Sequence, residues 1–388
     1  MMCRIFLLFI GLGVFYASAA GAETLESRIA AIVGDSDMGV AVISSMGDTV
    51  SINGDKPFEM QSVMKFHQAL AMAKTMSAKE LLDTKVTYGS EDLKPDTWSP
   101  LRAVNSQGGT VELSTLLYYS LRMSDNNAAD ILFDRFLSPA MVDSVLKADT
   151  PAKNFAIAYT EDDMHRNPSL AGGNWSTPLD CAGLFDYAFA CDSSQSVVAL
   201  QAVMASKSAF GNSRIVKGVG NGTVYNKTGT GFEKAGRTTA VNDAAFVYFP
   251  YAWGGFGYYS IAVFASDCVA SEAEAKIAEI SELVWSYHIT RANDLAANMI
   301  NVAGASRPGT RVKETEGDGL GRILGAAALT AIIVDEIVNR VFDYSGGDYY
   351  ESDNSSKSSG SSSNYSGGRS SKKTGSGSSS TSQRRRPR

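Results

Sequence analysis

Apolar positions in this chain follow two different periods, and each marks a different kind of element. The run Met38-Gly39-Val40-Ala41-Val42-Ile43-Ser44, the pair Gly47-Asp48 and the run Thr49-Val50-Ser51-Ile52 predict a β-hairpin, a Gly-containing turn between two β-prone stretches. Far along the chain Thr223-Val224-Tyr225, Ala244-Ala245-Phe246-Val247-Tyr248-Phe249 and Tyr258-Tyr259-Ser260-Ile261-Ala262-Val263-Phe264 predict three more strands. Between these groups the 3.6-residue period dominates: Val63, Phe66, Leu70 and Ala73 recur at helical spacing in a stretch that opens at Ser62. Strands from both chain ends around a helical middle predict one sheet assembled from the two ends, with a helical lobe inserted between them.

This globular pattern extends from residue 23 to about residue 290. Ahead of it, residues 1–22 place Arg4 before an apolar run, Ile5 to Tyr16, and then the small residues Ala17 to Ala22. That order is expected of a cleaved export signal, which would deliver the protein to the periplasm or outside the cell. Residues 291–344 read as a linker carrying an apolar, amphipathic helix. Its core, Ile323 to Val334, is shorter than the roughly 20 residues that span a bilayer, so a surface-lying or partner-binding helix is expected. Residues 345–388 are rich in Ser, Gly, Lys and Arg with almost no aliphatic side chains, and such a segment is expected to be disordered.

The charge divides along the same line. The 388 residues carry a net charge of -6, but the last 34 hold eight Lys/Arg and no Asp/Glu, which leaves -14 on residues 1–354. A nucleic-acid-binding body is thereby disfavoured, while the basic tail is expected to meet anionic envelope or membrane surfaces. The four cysteines form no C-x-x-C pair and there are only three histidines, so neither a metal nor another cofactor is expected. Cys3 would leave with the signal, and the odd number remaining leaves at least one thiol free or paired between chains. Cys181 and Cys191, ten apart on one helix, would lie about 15 Å from each other, too far for a disulfide.

The chemistry starts at Ser62-Val63-Met64-Lys65. Side chains three apart on a helix share a face, so Lys65 can reach the Ser62 hydroxyl, which becomes a good nucleophile only when a nearby base takes its proton. Ser-x-x-Lys also occurs at Ser144 and Ser370, and the tail contains Ser352-Asp353-Asn354 and Lys373-Thr374-Gly375. The tail matches lie in a segment without a core and two of them share Lys373, so they cannot form separate walls of a cleft. The specific signal is an ordered set: Ser62-x-x-Lys65, Ser124-Asp125-Asn126, Glu161 and Lys227-Thr228-Gly229, at intervals of 62, 37 and 66 residues.

With this set the chain resembles the class A serine β-lactamases over residues 23–290. The stretches Thr160-Glu161-Asp162-Asp163-Met164-His165, Asn174-Trp175-Ser176-Thr177-Pro178 and Lys234-Ala235-Gly236-Arg237-Thr238 are most similar to the extended-spectrum, Bacteroides-type branch. The resemblance implies a two-lobed α+β fold, an all-helical lobe beside an antiparallel sheet flanked by helices, acting as a monomer on a small β-lactam. Ser62 would attack the lactam carbonyl, its own N–H and that of Thr230, in the strand after a Lys-Thr-Gly turn, receiving the oxyanion. Ser124 would protonate the lactam nitrogen, and Asn126 would hold Lys65 and the substrate amide. Lys227, Thr228 and Gly229 would bind the substrate carboxylate, with Arg214 or Arg237 as a second cation and Trp98 as an aromatic wall. Glu161, on a segment with the composition of an Ω-loop, would activate water to release the acyl group. Where the family has Pro after this Glu and Asn four residues on, this chain has Asp162 and His165, so His165 would hold the hydrolytic water. A DD-peptidase, for which Glu161 would be incidental, and an exported binding module on the same fold are the alternatives.

Overall fold

The computed structural model describes residues 23–205, 208, 212–251 and 255–305. The expected export signal, the apolar run at 323–334 and the basic tail lie outside the described residues. Five principal strands build one antiparallel sheet: β1 (Met38–Ser44), β2 (Thr49–Ile52), β3 (Thr223–Thr230), β4 (Arg237–Pro250) and β5 (Phe256–Cys268), in the order β2-β1-β5-β4-β3. The short strand Glu233–Lys234 pairs with the start of β4. Val42 and Ala245 both lie opposite Ile261, so the amino-terminal hairpin is stitched to the last strand. The hairpin sits where the sequence places it, with Gly47 at φ +85 supplying the left-handed turn.

Side chains alternate across the sheet, and the alternation divides the core in two. Val40, Val42, Val247, Ile261 and Val263 face α1 (Leu25–Val33) and the last helix. Ala41, Ala244, Phe246, Ala262 and Phe264 face the helical lobe. Both faces are covered, which is why these strands read as nearly unbroken apolar runs. At the centre of the helical lobe is α2 (Met64–Thr75), in which every residue from Met64 to Ala73 is buried. Phe66 stacks on Phe185 with ring centroids 3.9 Å apart, a contact worth about 1 kcal/mol beyond its buried area.

Four further helices, among others in the described residues, bear on the site. They are α3 (Asn126–Arg135), α4 (Glu161–Arg166), α5 (Pro178–Asp186), which packs on the sheet, and α6 (Ala270–Ala305). The last of these passes through residue 290 without a break, so the limit expected there falls inside a helix. Two local expectations are corrected. Lys227-Thr228-Gly229 is no turn: it continues β3, each residue opposite one of β4 from Ala244 to Asn242. The segment 160–178 is only partly loop, since α4 and a 3₁₀ turn over Pro168–Gly173 occupy most of it. Cys181 is buried, Cys191 exposed and Cys268 half-buried, and no disulfide joins them among the described residues.

Candidate active site

Ser62 lies in the 3₁₀ turn Gln61–Val63 that leads into α2, and Lys65 follows one turn later, fully buried. Four oxygens surround the Lys65 ammonium: Ser62 Oγ at 2.9 Å, the Ser124 carbonyl at 2.8 Å, Asn126 Oδ1 at 2.6 Å and Glu161 Oε1 at 2.9 Å. An ammonium has three hydrogens, so these acceptors compete and a proton can pass among them with little movement.

Ser124-Asp125-Asn126 divides its work by residue. Ser124 takes a left-handed φ of +54, which turns its carbonyl to Lys65 while its hydroxyl accepts from Lys227 Nζ at 2.9 Å. Asp125 is the N-cap of α3: its carboxylate accepts from the Ala128 amide at 2.8 Å, the Leu101 amide at 2.6 Å and the Ser99 hydroxyl. Asn126 opens the helix, and its amide side chain spans from Lys65 to Thr97 Oγ1. Its backbone N–H donates to the Trp98 carbonyl, and the indole N–H of Trp98 is anchored on Met123 O at 2.9 Å. The ring is 56% exposed, so it stands at the surface beside this motif and is not packed in a core.

From the sheet side, β3 brings Lys227, which is buried and donates to Ser124 Oγ and to the Thr228 carbonyl at 2.7 Å. Burial, and next the charge of Lys65, push this ammonium well below the ordinary lysine range. Gly229 is required by close approach: a Cβ there would collide with the Met60 carbonyl oxygen. Arg214 is buried behind the strand, donating to Gly229 O at 3.0 Å, Asn242 O at 2.8 Å and Thr230 Oγ1 at 2.7 Å, and paired with Glu274 at 3.0 Å. Arg237 is engaged with Asp267 on β5, so of the two arginines Arg214 is the one tied to the site strand.

Glu161 is the first residue of α4, whose Thr160 cap forms a reciprocal capping box with Asp163. Its carboxylate is buried, with Oε1 3.3 Å from Ser62 Oγ and 2.9 Å from Lys65 Nζ. What fixes it was missed from the sequence. The Asp130 carboxylate accepts the Glu161 amide on one oxygen and the Asp162 amide on the other, each at 2.8 Å. A proline at 162 would present no N–H, so Asp162 brings a second donor and Asp130 a second acceptor to match it. The available signal was spacing: Asp130 lies four residues after Asn126, on the same face of α3. Burial, and then the Glu161 charge, raise the Asp130 carboxyl to about 8. His165 shares the Glu161 face of α4 at i+4, with an exposed ring. Arg122 and Asp243 also escaped notice: Arg122 donates to Asn226 O at 2.9 Å, and Asp243 accepts from Asn226 Nδ2 at 3.0 Å and the Ile215 amide at 3.1 Å.

This arrangement places a serine, two lysines and a carboxylate around one point, which is the equipment of a serine acyl-transferring hydrolase. The profile of the β-lactamase enzyme family matches residues 24–288. A β-lactamase of Phocaeicola vulgatus is 32% identical over 280 residues, covering 68% of this chain and 83% of that protein. Among solved structures, a β-lactamase from Chitinophaga pinensis superposes with a TM-score of 0.63 at 29% identity, over 69% of this chain and 100% of the other. A class A β-lactamase from Bacteroides cellulosilyticus gives a TM-score of 0.62 at 31% identity, over 69% and 97%. The chain therefore belongs to the β-lactamase enzyme family, and within it to the class A serine enzymes.

Proposed function

We propose that this enzyme, which hydrolyses β-lactams, does so with Ser62 as nucleophile and Glu161 as the base that completes turnover. In the first half, Ser62 Oγ bonds to the lactam carbonyl carbon and its proton passes to Glu161, or to Lys65 once that ammonium has handed one of its own protons on, both already in hydrogen-bonding reach. The backbone N–H groups of Ser62 and Thr230 receive the oxyanion, the carbon–nitrogen bond breaks, and Ser124 gives its proton to the departing nitrogen and is restored with the proton taken from Ser62, which leaves Glu161 ionised for the second half. Lys227, Thr228 and Gly229 hold the substrate carboxylate, Arg214 supports them through Thr230, Asn126 takes the side-chain amide and Trp98 covers the ring. In the second half, Glu161 removes a proton from water held with the help of His165. The water oxygen bonds to the ester carbon, and Ser62 leaves with a proton restored.

The observation that carries this reading is one carboxylate oxygen, Glu161 Oε1, shared between the Ser62 hydroxyl and the Lys65 ammonium. The test is turnover of a chromogenic cephalosporin by the wild type and by Glu161→Gln. Wild-type protein is expected to cycle many times, and the variant to stop after one equivalent as an acyl-enzyme that mass spectrometry detects on Ser62. Multiple turnover by Glu161→Gln at the wild-type rate would overturn the role given to Glu161. The Phocaeicola and Bacteroides relatives support placing the chain in the Bacteroides-type branch. Export directed by residues 1–22, action as a monomer and attachment of the basic tail to anionic envelope surfaces complete the proposal.

A further inference from the structure

The residue before the nucleophile is held from its side chain. Gln61 is buried, with φ +51, a left-handed conformation that costs a non-glycine residue energy and persists only where its surroundings impose it. Its side-chain amide donates to Glu59 Oε1. The same oxygen accepts from the Thr239 hydroxyl at 3.0 Å. Thr239 in turn accepts from the Phe232 amide at 3.2 Å, and the Phe232 carbonyl accepts the Thr239 amide at 3.0 Å. Thr239 therefore closes the base of the 231–238 hairpin, which extends directly from the Lys227–Thr230 strand. The backbone of the 59–60 segment is clamped as well: Asn242 Nδ2 donates to Glu59 O at 2.7 Å and Met60 O at 3.2 Å.

One carboxylate oxygen thus joins the peptide that precedes Ser62 to the hairpin beside the substrate-carboxylate strand. We infer that Glu59 is a positioning residue for acylation, holding Gln61 in its left-handed state so that the Ser62 amide points at the oxyanion, and registering the 231–238 hairpin against the nucleophile turn. Asp125, Asp130 and Asp243 are each fixed by backbone amides, whereas the Glu59 carboxylate is reached by two side chains from separate segments. Glu59 itself reaches no group of the Ser62–Lys65–Ser124–Glu161 cluster, so its influence is through Gln61 and Thr239. The inference rests on Ser62 being the nucleophile.

The test separates the acylation and deacylation rate constants by stopped flow and mass spectrometry on the full chain, for Glu59→Ala, Glu59→Gln, Thr239→Val and Ser62→Ala. Glu59→Ala is expected to slow acylation about tenfold, the scale of a small misplacement of reacting groups, with deacylation and the thermal midpoint nearly unchanged. Glu59→Gln keeps an oxygen that can accept both bonds and is expected to restore most of the rate. Thr239→Val, similar in size and without the hydroxyl, is expected to fall between them, and it decides the matter if Glu59→Ala does not fold. Unchanged acylation in both Glu59→Ala and Thr239→Val would overturn the proposal, as would equal losses in both rate constants without rescue by Glu59→Gln. Turnover by Ser62→Ala would instead overturn the nucleophile assignment on which it rests.

Discussion

At the scale of single residues, the site works by giving its charged side chains more than one partner each, so that removing one group exposes another. Asp130 is the clearest case outside the reacting cluster. Its two oxygens hold the amides of Glu161 and Asp162, and without them the first turn of α4 has two donors to re-satisfy. Asp130→Ala is expected to slow deacylation about 100-fold while acylation changes only a few-fold, because the misplaced group is the one that handles water. Asp130→Asn, which keeps one acceptor oxygen, is expected to lie between. Comparison of the pre-steady-state burst with the steady-state rate measures both. A variant whose burst disappears together with turnover would show that Asp130 supports acylation as well.

Among the elements, α3 is the one on which catalysis and stability most directly depend together. Asp125 is fully buried and its carboxylate accepts two amides and a hydroxyl, so it joins the start of α3 to the Ser99–Leu101 turn. Asp125→Ala removes the cap and leaves those donors buried, at a cost of about 3 kcal/mol. A fall of that size in unfolding free energy by urea titration is expected, with loss of turnover because Ser124 and Asn126 flank the cap. A stable variant with intact turnover would separate the cap from the site. Local pattern made much of this architecture readable. The Met38–Ile52 hairpin follows from two β-prone runs around Gly47, and α2 from the spacing of Val63, Phe66, Leu70 and Ala73. Lys227-Thr228-Gly229 misled for a physical reason: glycine in a polar triplet resembles a turn, whereas Gly229 is there to let Met60 approach. Arg122 and Asp243 could not be read in advance, since each acquires its partner only when distant segments meet, and Asp130 offered only its spacing from Asn126.

For the molecule as a whole, a histidine buried in the hydrophobic cluster of the helical lobe makes stability depend on pH. His67 lies within α2, its ring against Phe155 and Phe66 at centroid distances of 5.4 and 6.4 Å, with no hydrogen-bond partner on either nitrogen among the described residues. Burial lowers its pKa from 6.5 to about 4. Below pH 6.5 the unfolded chain binds a proton that the folded one refuses, so stability present above that pH is lost as pH falls toward 4, by about 3 kcal/mol. His67→Leu is expected to flatten this part of the stability curve in denaturation experiments between pH 7 and 4, and an unchanged slope would assign the acid loss elsewhere. The meeting of Lys65 from one lobe and Lys227 from the sheet at Ser124 has a consequence for the folding of the chain. Neither half contains a working centre, so an intermediate with only one half consolidated is catalytically silent. Recovery of drug-cleaving power during refolding therefore times the final docking step, not the earlier formation of either part.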